Sequence, residues 1–145
     1  MTTINVLVAI NVGQALNGIA AGNANIGNYV YMVDSTGKSN SGQGGDELVT
    51  TVTVGDTLTW QVVSIDPSEQ VIITGFTGAA IGTNAGNIVN PVQYPQYNPT
   101  GSVWGGYVTA PTSPQGSQSQ YSLQLLLNGQ SHGWFDPFII SNAPK

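Results

Sequence analysis

YSLQLLLNGQSHGWFDPFII, residues 121–140, contains the pattern that decides the fold class. In its first part an apolar side chain recurs at every second position, which is the periodicity of a β-strand with one buried face. These apolar positions are Tyr121, Leu123, Leu125 and Leu127. Asn128-Gly129 follows, a pair typical of tight hairpin turns, and an apolar run then returns. The stretch therefore predicts two antiparallel strands joined by a short turn.

The rest of the chain repeats this pattern, with short apolar runs separated by many of its 19 glycines and eight prolines. The other runs predicted as strands cover residues 3–12, 29–33, 47–54, 57–65, 71–76 and 105–110. Gly55-Asp56 predicts a second hairpin turn, and residues 13–22 are expected to form at most one helical turn because glycine disfavours helix. We predict a single all-β domain over residues 1–145, an antiparallel β-sandwich of jelly-roll type with seven to eight strands.

The chain carries very little charge. Charged residues make up 6% of it, against roughly 25% in ordinary soluble proteins. Two lysines, no arginine and a net charge of −5 argue against nucleic acid as a partner, because phosphates require clustered cations. No apolar run approaches the roughly 20 residues of a membrane-spanning helix. Weak repulsion between copies instead predicts a homo-oligomer or a dense assembly of the chain with itself.

The N-terminal segment has no lysine or arginine before its first apolar run, and Asn5 and Asn11 interrupt that run. A standard signal peptide needs both a charged start and an unbroken apolar stretch. We therefore expect a cytoplasmic protein that is released, if at all, without a standard signal peptide.

His132 is the one histidine, so an enzyme using an imidazole must use it. Asp136 would lie about 13 Å away along an extended strand, too far for a direct hydrogen bond. No Gly-x-Ser-x-Gly motif marks a nucleophile, and one histidine without cysteine cannot hold zinc. We predict no catalytic residues and a non-enzymatic protein, with a hydrolase built around His132 as the enzyme alternative.

Calcium is the metal that this composition leaves open, because its ligands are carboxylates and carbonyls from loops. The candidate ligands in predicted loops are Asp46, Glu47, Asp66 and Glu69. No EF-hand motif contains them, and their alternative role is to keep the surface hydrated. We expect no cofactor, with calcium as the exception to test.

Residues 93–107, QYPQYNPTGSVWGGY, concentrate aromatic rings among prolines and glycines. The candidate ligand-binding residues are Tyr94, Tyr97, Trp104 and Tyr107. Amphipathic rings on a stiff loop suit sugars or apolar partners, since rings stack while hydroxyls hydrogen-bond. The alternative is that these rings cover an open end of the sandwich.

An ordered set of segments resembles the PixA/AidA family of bacterial inclusion-body proteins. The segments are INVLVAINV (4–12), NYVYMV (28–33), SGQGGDELVTTVTVGDTLTWQVVSID (41–66), VIITGF (71–76) and WFDPFI (134–139). The resemblance spans most of the chain, except the long segment 77–104. The single internal methionine, Met32, differs from the methionine-rich members of that family, so a methionine-reserve role is not expected.

The resemblance implies a β-sandwich without known catalysis, abundant in dense bacterial cultures under quorum-sensing control and associated with host interaction. It supplies no catalytic residues to carry over. Together with the low charge, it favours a non-enzymatic, self-associating protein. A lectin-like carbohydrate-binding module, with or without calcium, is the alternative.

Overall fold

The computed structural model describes residues 2–36 and 41–144. Within these residues it contains eleven strands, one α-helix and one short 3₁₀ helix. The strands are β1 (Thr3–Ile10), β2 (Val30–Asp34), β3 (Val49–Thr53), β4 (Thr57–Ser64), β5 (Val71–Thr77), β6 (Val92–Gln93), β7 (Val103–Tyr107), β8 (Ser119–Gln120), β9 (Ser122–Leu127), β10 (Ser131–Phe135) and β11 (Phe138–Asn142). The α-helix is α1 (Val12–Ala20), and the 3₁₀ helix covers Gly27–Tyr29.

The strands form three sheets. The large sheet has five strands in the order β2-β1-β4-β7-β6, and two smaller sheets have the orders β10-β9-β5 and β3-β11-β8. The all-β prediction is confirmed, but seven to eight strands was too few. The additional strands include β6 and β8, which have two residues each and are too short to show an alternating pattern.

The prediction of purely antiparallel strands was wrong at two places. β1 pairs with β4 and β11 pairs with β3 in parallel, while the other strand pairings are antiparallel. The parallel partners are separated by long stretches of chain, so short-range alternation carries no information on their direction. The arrangement brings β1 to the interior of the large sheet, between β2 and β4.

One predicted hairpin is confirmed and the other is wrong. β9 and β10 are antiparallel neighbours, and their turn places Asn128 at φ 53° and Gly129 at φ 69°, as a tight hairpin turn requires. In contrast, Gly55-Asp56 joins strands of different sheets. The Asp56 carboxylate accepts from the backbone N–H of Thr2 at 3.0 Å and of Thr53 at 2.9 Å, so the turn ties two sheets together.

Helix α1 is longer than the expected single turn. Its nine residues include two glycines, but Asn11 caps its first turn by accepting from the Gln14 N–H at 3.3 Å. Two residues of the helix, Val12 and Ala15, are fully buried. Burial of one face and the cap offset the glycine cost of about 1 kcal/mol each.

The closing apolar run is split between two sheets. β10 ends at Phe135, β11 begins at Phe138, and Asp136-Pro137 carries the chain from one sheet to the other. Proline has no N–H to donate to a ladder, so it suits this crossing. The Pro137 carbonyl instead accepts from the Tyr121 N–H at 3.1 Å.

The core lies against the inner face of the large sheet and joins all three sheets. At its centre Trp60 packs on Phe76 at 4.6 Å and on Tyr121 at 5.8 Å between ring centroids. The Trp60 indole N–H donates to the Tyr121 hydroxyl at 3.0 Å, which satisfies a polar group in a buried site. Burial raises the pKa of Tyr121 well above its usual value, and the bond from Trp60 opposes that rise.

Candidate functional site

The face of the large sheet opposite the core is open to solvent in its centre. Because side chains alternate along a strand, every second residue of each strand points away from the core and onto this face, which we call the outer face. Its strand residues are Thr3, Asn5, Leu7, Ala9, Tyr31, Val33, Thr57, Thr59, Gln61, Val63, Val92, Val103, Gly105 and Tyr107. None of these fourteen is charged. The outer face is therefore a neutral surface on a chain of net charge −5.

Register explains how apolar side chains meet across the outer face. Leu7 lies opposite Val33 on one side and Gln61 on the other, and Gln61 lies opposite Val103. A row of three apolar side chains and one amide thus crosses four strands. Leu7, with 38% of its surface exposed, and Val33, with 43%, keep this row accessible.

The segment that follows β6 lies across part of this face. Gly105 makes this possible, because a Cβ at that position would lie 2.4 Å from the Tyr94 hydroxyl. Tyr94 and Tyr97 stack at 6.4 Å between ring centroids, with their planes 27° apart. Tyr97 remains 48% exposed. The two rings form a wall that stands beside the row of apolar side chains.

A groove of about 360 Å³ lies between this wall and the end of β2. Its lining residues are Asn5, Val6, Leu7, Val33, Asp34, Ser35, Thr59, Gln61, Tyr94, Tyr97 and Val103. Polar groups are paired at its edge: the Thr59 hydroxyl donates to the Asn5 side-chain oxygen at 2.6 Å, and the Asn5 N–H donates to the Ser35 hydroxyl at 3.0 Å. Such a surface can stack a ring and hydrogen-bond its substituents.

The four predicted aromatic residues do not form one site. Tyr94 and Tyr97 line the groove, whereas Trp104 points to the core, 5.6 Å from Phe76 between ring centroids. Its indole N–H donates to the Ile73 carbonyl at 3.0 Å. Tyr107 lies on the outer face away from the groove and is 70% exposed, beside a separate shallow pocket that includes Thr109.

The four carboxylates considered for calcium lie in two separate segments, with Asp46 and Glu47 in one and Asp66 and Glu69 in the other. Asp46 lies against Gly27 in a small pocket otherwise lined by asparagines, and Glu47 is exposed. The Ser68 N–H and hydroxyl donate to Asp66 at 2.9 and 2.8 Å, and the backbone bond, then the side-chain bond, lower the pKa of Asp66. Glu69 accepts from the Asn128 side-chain amide. Within residues 2–36 and 41–144, no three histidine or acidic residues converge on a point where a metal could bind.

His132 lies exposed on β10, opposite Leu126 of β9. Asp136, beyond the end of that strand, accepts from the Gln120 side-chain amide at 3.0 Å. His132 and Asp136, the pair considered for hydrolysis, therefore have different neighbours, and neither lines the groove.

Sequence reasoning missed the outer face as a whole. Every large apolar residue that is strongly exposed belongs to it or borders it: Leu7, Tyr31, Val33, Ile65, Val92, Tyr97 and Tyr107, of the residues that the structure describes. A signal was present in the sequence, because YVYMV (29–33) is apolar at successive positions and not only at alternate ones. A strand apolar on both sides predicts a second contact surface.

No helix in the described part of the chain is long and apolar enough to cross a membrane. The family model described as "Domain of unknown function (DUF8788)" matches residues 2–133. Among curated protein sequences, none matches this chain.

Solved structures that match this one include an inclusion body protein and a nucleoside hydrolase-related protein. The crystal structure of an inclusion body protein, PixA, from Burkholderia cenocepacia J2315 has a TM-score of 0.64 at 14% identity, covering 99% of this chain and 95% of that one. A nucleoside hydrolase-related hypothetical protein from Saccharophagus degradans, associated with carbohydrate metabolism, has a TM-score of 0.42 at 10% identity, covering 73% of this chain and 25% of that one. At these identities, the first likeness is one of fold.

Proposed function

We propose that this chain, which belongs to the family described as a domain of unknown function (DUF8788), is a non-enzymatic protein that acts by self-association. It accumulates inside the bacterial cell as a PixA-like inclusion-body protein, and its surface serves contacts with a host after release. Such a function needs no cofactor and no catalytic residue. The fold that it shares with an inclusion body protein supports this proposal.

The single observation that carries the proposal is the neutral, apolar outer face. Tyr31, Val33 and Leu7 are 46%, 43% and 38% exposed and lie on neighbouring strands. Apolar surface gains about 25 cal/mol for each Å² removed from water, so a cluster of this kind favours association. The acids that give the chain its net charge lie outside the fourteen outer-face residues, and Asp34 and Glu69 line pockets at the borders of this face. Association through the centre of the face therefore requires little burial of charge.

Size-exclusion chromatography with light scattering, over a series of protein concentrations, tests the proposal. We expect the mean mass to rise with concentration above that of one 15.0 kDa chain. We also expect added salt to leave the association intact or strengthen it, because apolar contacts are not screened by ions. A mass of 15.0 kDa at every concentration would contradict self-association.

A carbohydrate-binding function is the second candidate, and the stacked tyrosines favour it. Tyr94 and Tyr97 stack beside a groove that is also lined by the polar side chains of Asn5, Thr59 and Gln61. Sugars are recognised by this combination of ring stacking and hydrogen bonding. A requirement for calcium is a separate question within this candidate.

A glycan array, read with and without EDTA, tests this second candidate. We expect Tyr97→Ala to abolish any binding, since Tyr97 is exposed at the groove, and Tyr107→Ala to preserve it as the matched exposed tyrosine outside the groove. Silence of the array, or equal loss in both variants, rejects the groove as a sugar site. Loss of binding with EDTA alone assigns a role to calcium.

A further inference from the structure

The edges of the large sheet are occupied by other parts of the chain. Along β2, the Met32 N–H donates to the Gly45 carbonyl at 3.0 Å and the Gly44 N–H donates to the Met32 carbonyl at 2.6 Å. The Asp34 N–H donates to the Gln43 side-chain oxygen at 3.1 Å. The opposite edge strand, β6, has two residues. A second chain therefore finds little free backbone there for adding a strand.

The smaller sheets are closed in a similar way. On β10, Trp134 exchanges backbone hydrogen bonds with Ala24 and Ile26 at 3.0 and 2.9 Å. On β5, the Ile73 N–H donates to the Gly101 carbonyl at 2.8 Å, and on β3 the Val49 N–H donates to the Ser41 carbonyl at 2.8 Å. These bonds reduce the free backbone at the sheet edges, which favours contact between copies through a face of a sheet.

Charge selects the kind of partner that the outer face accepts. The acids of the chain are Asp34, Asp46, Glu47, Asp56, Asp66, Glu69 and Asp136, and none is among the fourteen outer-face residues. Asp34, which is 8% exposed, and Glu69 line pockets at the borders of the face. A basic protein would be drawn to those acids and away from this face. A second copy has the same net charge of −5 and avoids repulsion best by approaching through its own neutral face.

The area of the outer face can be compared with what a stable dimer needs. The five strands contain 8, 5, 8, 5 and 2 residues, which at about 3.3 Å per residue and 4.8 Å between strands give roughly 440 Å² before side-chain relief is counted. A stable interface takes about 800 Å² of accessible surface from each partner, and side-chain relief raises accessible area above the flat value. The strands of the outer face therefore supply about half of that area before side-chain relief is counted.

We infer that the outer face binds the outer face of a second copy of this chain, forming a two-fold symmetric dimer. This rests on the proposed self-association and adds the surface and the stoichiometry. When both partners use the same surface, that surface is buried in each copy and cannot bind a third. The assembly formed by this contact is therefore a closed dimer. Residues Leu7, Tyr31 and Val33 of each copy are then buried by the other.

Paired charge substitutions at one outer-face position test the surface. In Val33→Glu and in Val33→Lys a charge enters the interface twice by symmetry, and we expect both to weaken dimerisation by roughly 100-fold or more. Thr74→Glu is the matched control, because Thr74 is exposed on β5 outside the large sheet. If net charge alone governed association, lysine and glutamate would act in opposite directions.

Sedimentation equilibrium of the four proteins separates the outcomes. A wild-type dimer lost in both Val33 variants and kept in Thr74→Glu supports the inference. Association unchanged in the Val33 variants, or a wild-type assembly that stabilises above two copies, overturns the inference and leaves self-association standing. A wild-type chain that stays monomeric overturns both. Circular dichroism verifies that each variant is folded.

A cysteine cross-link gives a second readout that does not depend on tolerating a charge. The chain has no cysteine, so Gln61→Cys places the one thiol near the centre of the outer face. We expect a short bismaleimide to link Gln61→Cys into a covalent dimer and to leave Thr74→Cys unlinked. Equal linking of both variants, or linking of Thr74→Cys alone, would overturn the inference.

Discussion

The two faces of the large sheet are built from alternate residues of the same strands, yet they differ in almost every physical respect. Val6 and Trp60 point inward and are 1% exposed or less, whereas their neighbours Leu7 and Gln61 point outward and remain accessible. The inner face is packed by two other sheets, whereas on the outer face Tyr94 and Tyr97 stand beside the row of apolar side chains. Interior packing stabilises the fold, while the outer face is available for contact.

Aromatic residues show the same contrast. The inner rings use their polar atoms within the fold, since Trp60 donates to Tyr121 and Trp104 donates to the Ile73 carbonyl. Tyr97 and Tyr107 instead keep about half or more of their surface exposed. Buried rings therefore specify the structure, and exposed ones are free to meet a ligand or another copy.

The largest effect is expected from emptying the centre of the inner face. Trp60→Ala removes the ring that contacts both Phe76 and Tyr121 and leaves a cavity, so we expect a loss of about 3–5 kcal/mol in the free energy of unfolding. Urea denaturation measures it. Tyr107→Ala is the control, with an expected change within about 0.5 kcal/mol. Equal losses in the two variants would remove the distinction between the faces.

An intermediate effect is expected from Tyr121→Phe. The substitution keeps the ring but removes the acceptor of the Trp60 indole N–H, which leaves a buried donor unsatisfied. We expect a loss of about 1–3 kcal/mol in the free energy of unfolding at neutral pH. A change below the error of urea denaturation would show that the buried hydrogen bond does not stabilise the core.

Alkaline pH sharpens the same test. The pKa of Tyr121 is raised in the folded state, so the unfolded chain releases this proton first, near pH ~10. The contribution of Tyr121 to the free energy of unfolding should therefore be fully present below that pH. Above it, this contribution should fall by up to about 1.4 kcal/mol per pH unit. Tyr121→Phe lacks this contribution, so its stability should depend less steeply on pH in this range. Parallel slopes would contradict the assignment.

The smallest effect on stability is expected on the outer face. Val33→Thr keeps the β-branched shape on an exposed strand position, so the free energy of unfolding of the dilute chain should change by no more than about 0.5 kcal/mol. Thermal unfolding at low protein concentration measures it. A loss of several kcal/mol would mean that the outer face stabilises the single chain and is not reserved for contact.

Local sequence predicted the strands more accurately than their partners. The alternation in residues 121–127 and the Asn128-Gly129 turn are local signals, because they depend on residues close together in the sequence. The hairpin that they predict is present. Gly55-Asp56 has a similar local signal, but the strands on either side of it, β3 and β4, do not pair with each other. Instead β4 pairs with β1 and β3 pairs with β11. Helix α1 was underestimated since its support comes from burial of Val12 and Ala15, which only distant residues supply.

The candidate site could be predicted only in part for a related reason. The concentration of aromatic residues at 93–107 predicted one site containing Tyr94, Tyr97, Trp104 and Tyr107, and of these four the structure stacks Tyr94 on Tyr97. Trp104 lies in the same aromatic, glycine- and proline-rich segment, but it pairs with Trp60 in the sheet and therefore points toward the core on the same side. No periodicity distinguishes these cases, because which face meets the core depends on the pairing of distant strands.

The sequence by itself determined that the chain is β-rich, nearly uncharged and supplied with apolar residues on both sides of some strands. These properties depend on residue type and on spacing of two, which are local quantities. Only the tertiary structure decided that β1 and β4 lie parallel, that the sheet edges are closed by loops, and that one neutral face stays open. Strand partners are chosen by burial and hydrogen bonding between distant segments, and neither is encoded in any short stretch.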